Sequence, residues 1–323
     1  MSFALLGLGL AFALYLVCSS ILSLMVGLSF PALDRLAQRF HPRWRASVLF
    51  GLAALPALGG AALALGLVLP SWLTREPREG DERAGPVLLF LASAGALLVL
   101  FRLGAALRDH LRTQRTVREW MAAGRPLPGL SLDATRFPHA FPVAALSGLV
   151  RPHLLLADRL VLALSEDELE AVVAHELSHL EARDNWKRLL LRAAPDPLAF
   201  CAEGARLRRA FEEAAETAAD ASAAGRVGPL CLAQALLKVA ALVPPGRKLE
   251  MSEATLHREG SLATRVRALL EAHDRGGPAD ARGPSPVRGA GLLAAALLVM
   301  LAVGSSALPA VYLALEGLVH LLS

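Results

Sequence analysis

Long uncharged runs dominate the pattern of apolar and polar positions along this 323-residue chain. A helix needs about 20 apolar residues to cross the hydrocarbon core of a bilayer. Charged side chains are missing from residues 1–33, 47–74, 84–101 and 289–315. We therefore predict four transmembrane helices, at about 4–30, 47–72, 84–104 and 289–319.

Between the third and fourth apolar runs the pattern becomes mixed, and roughly 185 residues are enough for one compact domain. The predicted architecture is a mainly α membrane protein. Residues 1–107 hold three transmembrane helices, 108–274 form a water-soluble α+β domain, and 275–288 form a linker rich in Gly, Pro and Asp. The composition agrees, because 54% hydrophobic residues and a mean hydropathy of +0.47 exceed those of ordinary soluble proteins.

Arginines indicate how the chain is oriented in the membrane. Clusters of arginine follow the first and third runs, whereas the loop 75–83 has three Arg against four acids. The positive-inside rule then places both termini outside and the domain in the cytoplasm of a bacterial-type inner membrane. Anionic lipid headgroups explain the pI of about 9.3, and no nucleic-acid motif is present. The expected partners are the lipid bilayer and a protein or peptide; the oligomeric state is open.

A helix is predicted over 165–183. Ser165 is a good N-cap residue, and Glu168 three residues later completes a capping box. The helix has an apolar stripe formed by Leu169, Val172, Val173, Leu177 and Leu180.

This helix carries His175-Glu176-Leu177-Ser178-His179. Histidines four residues apart project from one helical face and can close on one tetrahedral metal ion, with Glu176 beside the open coordination position. The pattern predicts one Zn²⁺ per chain. The alternative is a pair of solvated histidines on an amphipathic surface helix.

A second helix is predicted through 211–220, ending at Gly225. Glu216 and Asp220 share one face of it. One carboxylate could bind the metal, and the other could accept the free N–H of a ligating histidine. Alternatively these acids lie on an exposed helix balanced by nearby arginines; we adopt that interpretation for Glu212 and Glu213.

HExxH on one helix and ExxxD on the next resemble the gluzincin zinc metallopeptidases. Within that group, the chain is similar over about residues 140–270 to the BlaR/MecR-type membrane peptidases, most clearly in three stretches. They are Ser-Gly-Leu-Val-Arg-Pro-His from 147, Leu-Ser-Glu-Asp-Glu-Leu from 164, and His-Glu-Leu-Ser-His-Leu-Glu-Ala-Arg-Asp from 175. The likeness is shared in part with CAAX-prenyl-protease and heat-shock-type membrane metalloproteases.

The resemblance implies a gluzincin-type domain inserted between transmembrane helices 3 and 4. It implies that His175, His179 and Glu216 bind zinc, that Glu176 is the general base and acid, and that Asp220 orients His175. Asp184 matches a common acidic position, with a role in supporting a ligand or a helix terminus.

Substrate contacts are also expected from the resemblance. The stretches 141–146 and 153–157 are typical of a small strand pair, whose edge would hold a peptide extended. Arg265 and His257 are candidates for stabilising the oxyanion or contacting substrate. Their alternative interpretations are a helix-face charge and a surface-loop histidine.

The predicted activity is that of an integral-membrane zinc endopeptidase in regulatory proteolysis or signal transduction. The chain ends at Ser323, so we expect no penicillin-binding sensor domain and no β-lactam sensing. The alternatives are a quality-control protease of the heat-shock or CAAX type and a non-catalytic signalling scaffold. Cys18, Cys201 and Cys231 are expected to be buried, unpaired thiols.

Overall fold

The computed structural model describes residues 3–75, 85–130, 132–243 and 259–276. The fourth predicted transmembrane helix at 289–319, the linker from residue 277 onwards and His257 lie outside the described residues. The rest is mostly helical with one small sheet.

Within the residues that the structure describes, three apolar helical segments are long enough to cross a membrane. Helix α1 spans Phe3–Ala37, α2 spans Pro42–Leu63 and continues through a π-helical turn into α3, Leu69–Arg75, and α4 spans Pro86–Ala123. By length and composition Leu5–Ala37, Pro42–Thr74 and Pro86–Ala123 could each span a bilayer, which indicates a membrane-embedded protein. Helix α4 is continuous through the predicted domain boundary at residue 107, so it leads directly from the apolar helices to the sheet.

A four-stranded sheet follows α4. The strands are β1 Arg125–Pro126, β2 Ala134–Phe137, β3 Ala144–Ser147 and β4 His153–Ala157, in the order β1-β2-β4-β3. The predicted strand pair is confirmed as the antiparallel β3–β4 hairpin, although β3 begins three residues later than predicted. Strand β2 pairs parallel to β4, and β3 lies at an edge.

The β3–β4 turn depends on Gly148. Its φ of +100° lies in the left-handed region, and an added Cβ would lie 2.2 Å from the carbonyl oxygen of Arg151. Only glycine fits both constraints. Trp186 fixes the other side of the turn, since its Nε1 donates to the carbonyl oxygen of Leu149 at 3.0 Å.

Among the described residues, six α-helices follow the sheet: α5 Asp158–Ala163, α6 Glu166–Glu181, α7 Asp184–Ala193, α8 Ala202–Val227, α9 Pro229–Ala241 and α10 Glu259–Asp274. Helix α6 has the predicted capping box between Ser165 and Glu168. The predicted end of α8 at Gly225 is wrong. The helix runs on to Gly228, where a φ of +89° and the following Pro229 form a stronger stop.

Helix α8 packs along membrane helix α2. Leu49 of α2 and Phe211 of α8 are both fully buried in a shared core, and the rings of Phe50 and Phe211 lie 6.1 Å apart. Arg43 at the start of α2 donates to the hydroxyl of Ser222 on α8 at 2.8 Å. The apolar helix α2 and the domain that contains α8 therefore share one packed interior.

The segment between α7 and α8 docks on the membrane helices α1 and α4 through polar contacts. Tyr15 donates to the carbonyl oxygen of Pro195 at 2.6 Å, Ser23 donates to Asp196 at 2.5 Å, and Arg102 donates to the carbonyl oxygen of Ala194 at 2.9 Å. Buried polar groups of this kind fix a specific docking geometry because each needs its partner.

The three cysteines lie in the described part of the chain, and all three are unpaired there. Cys18 and Cys231 are half-buried, but Cys201 is exposed, so its predicted burial is wrong. It is the residue directly before α8, at the N-cap position of the helix.

Phe211→Ala should lower the free energy of unfolding by about 3–5 kcal/mol, because it opens a cavity where α8 meets α2. Thermal unfolding of the detergent-purified protein would register a lower midpoint. Leu237→Ala is the control, since Leu237 is 52% exposed and its truncation should change the midpoint little. Equal midpoints for the two variants would contradict this packing.

Candidate metal centre

Helices α6 and α8 bring His175, His179 and Glu216 together. One ligand atom from each lies within 4.8 Å of the other two. Nε2 of His175 is 3.5 Å from one oxygen of Glu216, and Nε2 of His179 is 3.3 Å from the other. The two imidazoles are nearly perpendicular, with ring centroids 4.9 Å apart. The three side chains thus converge on one point from two helices.

The atoms that face this point lack hydrogen-bond partners. Nε2 of both histidines and both oxygens of Glu216 are shielded from solvent and make no hydrogen bond within the described structure. A buried polar atom left without a partner costs about 1–3 kcal/mol. Two imidazole nitrogens and a carboxylate are the donor set of a divalent metal site, so the residues fit a metal ion.

Each imidazole is held from behind by a carboxylate. Nδ1 of His175 lies 3.0 Å from Oδ1 of Asp220, and Nδ1 of His179 lies 2.8 Å from Oδ2 of Asp184. A carboxylate in this place fixes the tautomer and orientation of a ligating histidine. The structure thus brings Asp220 and Asp184 against the two histidines, and their predicted supporting roles stay predictions.

A left-handed residue positions Asp184. Arg183, between α6 and α7, has a φ of +56°, the one non-glycine positive φ in the described part of the chain. The sharp turn brings the first residue of α7 back against His179. Lys187, one turn later, is 2.9 Å from the other oxygen of Asp184. Asp184 thus serves both the helix terminus and the histidine.

Arg265 of α10 lies behind the cluster. Its Nε and Nη2 contact the two oxygens of Asp220 at 2.6 and 2.7 Å, and its Nη1 is 3.2 Å from Glu216. All three nitrogens face carboxylates, and the residue is 5% exposed. This geometry supports a positioning task for Arg265; its predicted oxyanion role stays a prediction, as does that of His257.

Arg188 of α7 is a site residue that the sequence analysis missed. Its Nε contacts Glu212 at 3.0 Å, and its Nη2 is 3.6 Å from Glu216. The exposed, arginine-balanced position predicted for Glu212 is therefore wrong, because the carboxylate turns inward to a buried cation. Two features of the sequence indicate Arg188 as a site residue. Glu212 and Glu216 share a helical face, and Arg188 falls on the buried side of amphipathic α7.

Glu176 lies beside the ligands and is 4% exposed. Its Oε1 has no hydrogen-bond partner among the described residues. Burial raises the pKa of this carboxyl, against the opposing charges of the histidines. A carboxyl with a raised pKa can both take and return a proton near neutral pH.

Charge balance sets the protonation of the metal-free cluster. Burial alone would lower the pKa of His179, but Glu216 and Asp184 outweigh it and raise the pKa to about 10. Burial alone would raise the pKa of Asp184, but His179 and Lys187 hold it at about 2. The metal-free site therefore holds imidazolium against ionised carboxylates.

A comparison with known proteins finds a matching family model for part of the chain. Residues 111–252 match the family model of Peptidase family M48. The match supports an M48 metallopeptidase, that is, a metal-dependent hydrolase. It covers the two ligand-bearing helices, and Arg265 lies beyond it. No curated protein and no solved structure is significantly similar to the chain. The BlaR/MecR-type assignment stays a prediction, because the matched model is described only as family M48.

Loading the metal-free protein with Zn²⁺ at pH 7 should release at least one proton. His179 is protonated below its raised pKa of about 10, and a metal needs its lone pair. Zn²⁺ affinity should therefore fall as the pH is lowered. Isothermal titration calorimetry in two buffers of different ionisation enthalpy counts the released protons.

Asp184→Asn provides the control for this measurement. Removing the carboxylate lowers the pKa of His179, so the variant should release fewer protons at pH 8 than the unmodified chain. Heats of binding that do not depend on the buffer would contradict the predicted protonation.

Proposed function

We propose that this chain is a membrane-embedded zinc endopeptidase that hydrolyses peptide bonds of a cytoplasmic or membrane-proximal protein. The observation that carries the proposal is the placement of a buried, unpartnered Glu176 beside three convergent ligands within the matched M48 region. A purely structural metal site has no need of such a carboxylate, which argues against a non-catalytic scaffold.

Zinc, one ion per chain, is the proposed metal. Two imidazoles and one carboxylate leave one position of a tetrahedral ion open, which is the arrangement of catalytic rather than structural zinc sites. His175, His179 and Glu216 would hold it. A zinc ion in such a site supplies Lewis-acid chemistry, since it acidifies water and polarises a carbonyl.

Glu176 performs the proton transfers in the proposed reaction. Its carboxylate takes the proton of the attacking water and returns it to the leaving nitrogen of the peptide. Burial, which raises its pKa, matches it to both steps. Asp220 and Asp184 keep the imidazoles in the ligating tautomer, and Arg265 keeps Asp220 ionised against the effect of burial.

Strand β3 is the proposed platform for the substrate. It forms an edge of the sheet, and an extended peptide can add to an exposed edge through main-chain hydrogen bonds. Asn185 lies at this edge and donates to the carbonyl oxygen of Leu146 at 2.9 Å. Because Asn185 directly follows Asp184, the edge and the metal centre are held by the same turn.

Regulatory proteolysis is the proposed setting, with both termini outside the cytoplasmic membrane and the domain inside. The packing of α8 on α2 supports it, because displacement of a membrane helix would reach the helix that carries Glu216. A quality-control protease of the heat-shock or CAAX type would share the site and differ in substrate. A repressor cleaved in cells would favour the first, and cleavage of damaged membrane proteins the second.

Glu176→Gln should lower the rate of peptide cleavage about 10²–10⁴-fold while zinc stays bound, because the proton acceptor is lost and the three ligands remain. Casein cleavage and self-cleavage by detergent-purified protein measure the rate, and elemental analysis measures zinc. Glu170→Gln is the matched control, since Glu170 is an exposed acid on the same helix. A zinc-loaded Glu176→Gln variant that cleaves as fast as the unmodified chain would overturn the proposal.

A further inference from the structure

Glu216 lies between two imidazoles and two guanidiniums. Its Oε2 faces Nε2 of His175 at 3.5 Å and Nη1 of Arg265 at 3.2 Å. Its Oε1 faces Nε2 of His179 at 3.3 Å and Nη2 of Arg188 at 3.6 Å. Each oxygen of the carboxylate therefore has one histidine and one arginine beside it.

The two guanidiniums are held in different ways. Arg265 directs Nε and Nη2 to Asp220, so two of its nitrogens already bond another carboxylate. Arg188 directs Nε to Glu212 at 3.0 Å. Glu212 and Glu216 are four residues apart and share a face of α8. Arg188 of α7 thus bonds the first of these two carboxylates and approaches the second.

The contact between Arg188 and Glu216 is incomplete in the described structure. Nη2 and Oε1 are both shielded from solvent, and neither makes a hydrogen bond there. Their separation of 3.6 Å is just beyond hydrogen-bond length. A buried donor and a buried acceptor left unmade are both costly. An ion pair that only fastened α7 to α8 would be complete with Glu212 and would not need this second contact.

The direction of the Glu216 carboxylate needs such a contact. The last torsion of a glutamate side chain is broad, so its own conformational preferences do not fix where the two oxygens point. Hydrogen bonds to the oxygens have to fix it. The direction matters for a metal site, because a carboxylate can bind an ion through one oxygen or through two. A catalytic zinc site keeps one coordination position for water.

We propose that Arg188 is a positioning residue for the metal ligand Glu216. Anchored by Glu212, its guanidinium holds Oε1 and so sets how the carboxylate meets the metal. The inference rests on the metal site of the proposed function. It adds to that site a pair of residues, Arg188 and Glu212, that lies outside the HExxH and ExxxD motifs.

The zinc affinity of the metal-free, detergent-purified chain tests the inference, measured by competition with a chromophoric chelator. Arg188→Met removes the donors and keeps an unbranched side chain. It should weaken zinc binding about 10–100-fold, the usual loss when the partner of a metal ligand is removed. Glu212→Gln leaves the guanidinium without its anchor and should weaken binding by a smaller factor. Arg206→Met removes an exposed arginine from α8 and should leave the affinity unchanged.

Two more variants separate positioning from charge and from folding. Arg188→Lys keeps the charge, but its single nitrogen cannot span Glu212 and Glu216, so it should bind zinc more weakly than the unmodified chain. Arg188→Met combined with Glu212→Gln should bind zinc as weakly as Arg188→Met alone, because Glu212 acts through Arg188. The combined variant leaves neither charge of the pair buried alone, so it can be measured even if Arg188→Met unfolds.

The visible spectrum of the Co²⁺-loaded chain reports the arrangement of the ligands directly. The spectrum depends on the number and geometry of the atoms that bind Co²⁺, so it should change in Arg188→Met and stay the same in Arg206→Met. A merely structural pair would lower the thermal midpoint of the metal-free chain and leave both the spectrum and the zinc affinity as they were.

The outcomes distinguish this inference from the proposed function. Unchanged zinc affinity in Arg188→Met, full affinity in Arg188→Lys, or losses that add in the combined variant would each overturn the inference. An unmodified chain that binds no zinc would overturn the inference and the proposed metal site together. Zinc binding that depends on Arg188, in a chain that cleaves no peptide, would overturn the peptidase function and leave the positioning of Glu216 standing.

Discussion

The structure depends on one constraint: several ionisable groups are buried together between α6, α7, α8 and α10, and their charges must balance. Glu216 and Asp220 are shielded from water and are stable as carboxylates only because cations face them. Arg265 and Arg188 supply two of these cations, and the histidines supply the rest when no metal is bound. A divalent ion would replace the imidazolium protons, so the cluster is balanced with or without metal.

Because of this constraint, the metal site depends on how α8 packs against the apolar helix α2. Helix α8 carries Glu216 and Asp220 on one face and packs Phe211 against membrane helix α2 on another. Glu216 can keep its place between two histidines only if α8 keeps its position on α2. Arg43 adds a direct connection, since it contacts Ser222 of α8 and lies 3.7 Å from Glu181 at the end of α6. The ligand side chains of α8 and the contact between α8 and α2 therefore belong to one packed interior.

Interactions between residues that are close in the sequence could be predicted, whereas those between distant segments could not. The capping box at Ser165 and the i, i+4 spacing of His175 and His179 are local, and the helix they predict is present. The sequence analysis does not predict strands β1 and β2, because these pieces of two and four residues contain arginines and are held by pairing, β1 with β2 and β2 with β4. Long-range pairing of this kind leaves no period in the sequence.

The side chains of the metal site show the same difference between local and long-range interactions. Glu216 and Asp220 were predicted from their spacing, whereas Arg188 was missed because its partner Glu212 lies 24 residues away on another helix. The sequence analysis predicts that Arg265 stabilises the oxyanion or contacts the substrate. Its bidentate contact with Asp220, 45 residues away, depends on how α10 packs. Charge pairs between helices follow from tertiary packing, which no single stretch of sequence encodes.

Zinc K-edge X-ray absorption of the detergent-purified chain, with zinc content measured on the same sample, tests the central claim most directly. The account predicts one zinc per chain, bound by two imidazole nitrogens at about 2.0–2.1 Å and by oxygen, with loss of stoichiometric zinc in Glu216→Ala. A chain without stoichiometric zinc, or zinc bound by sulfur, would contradict it.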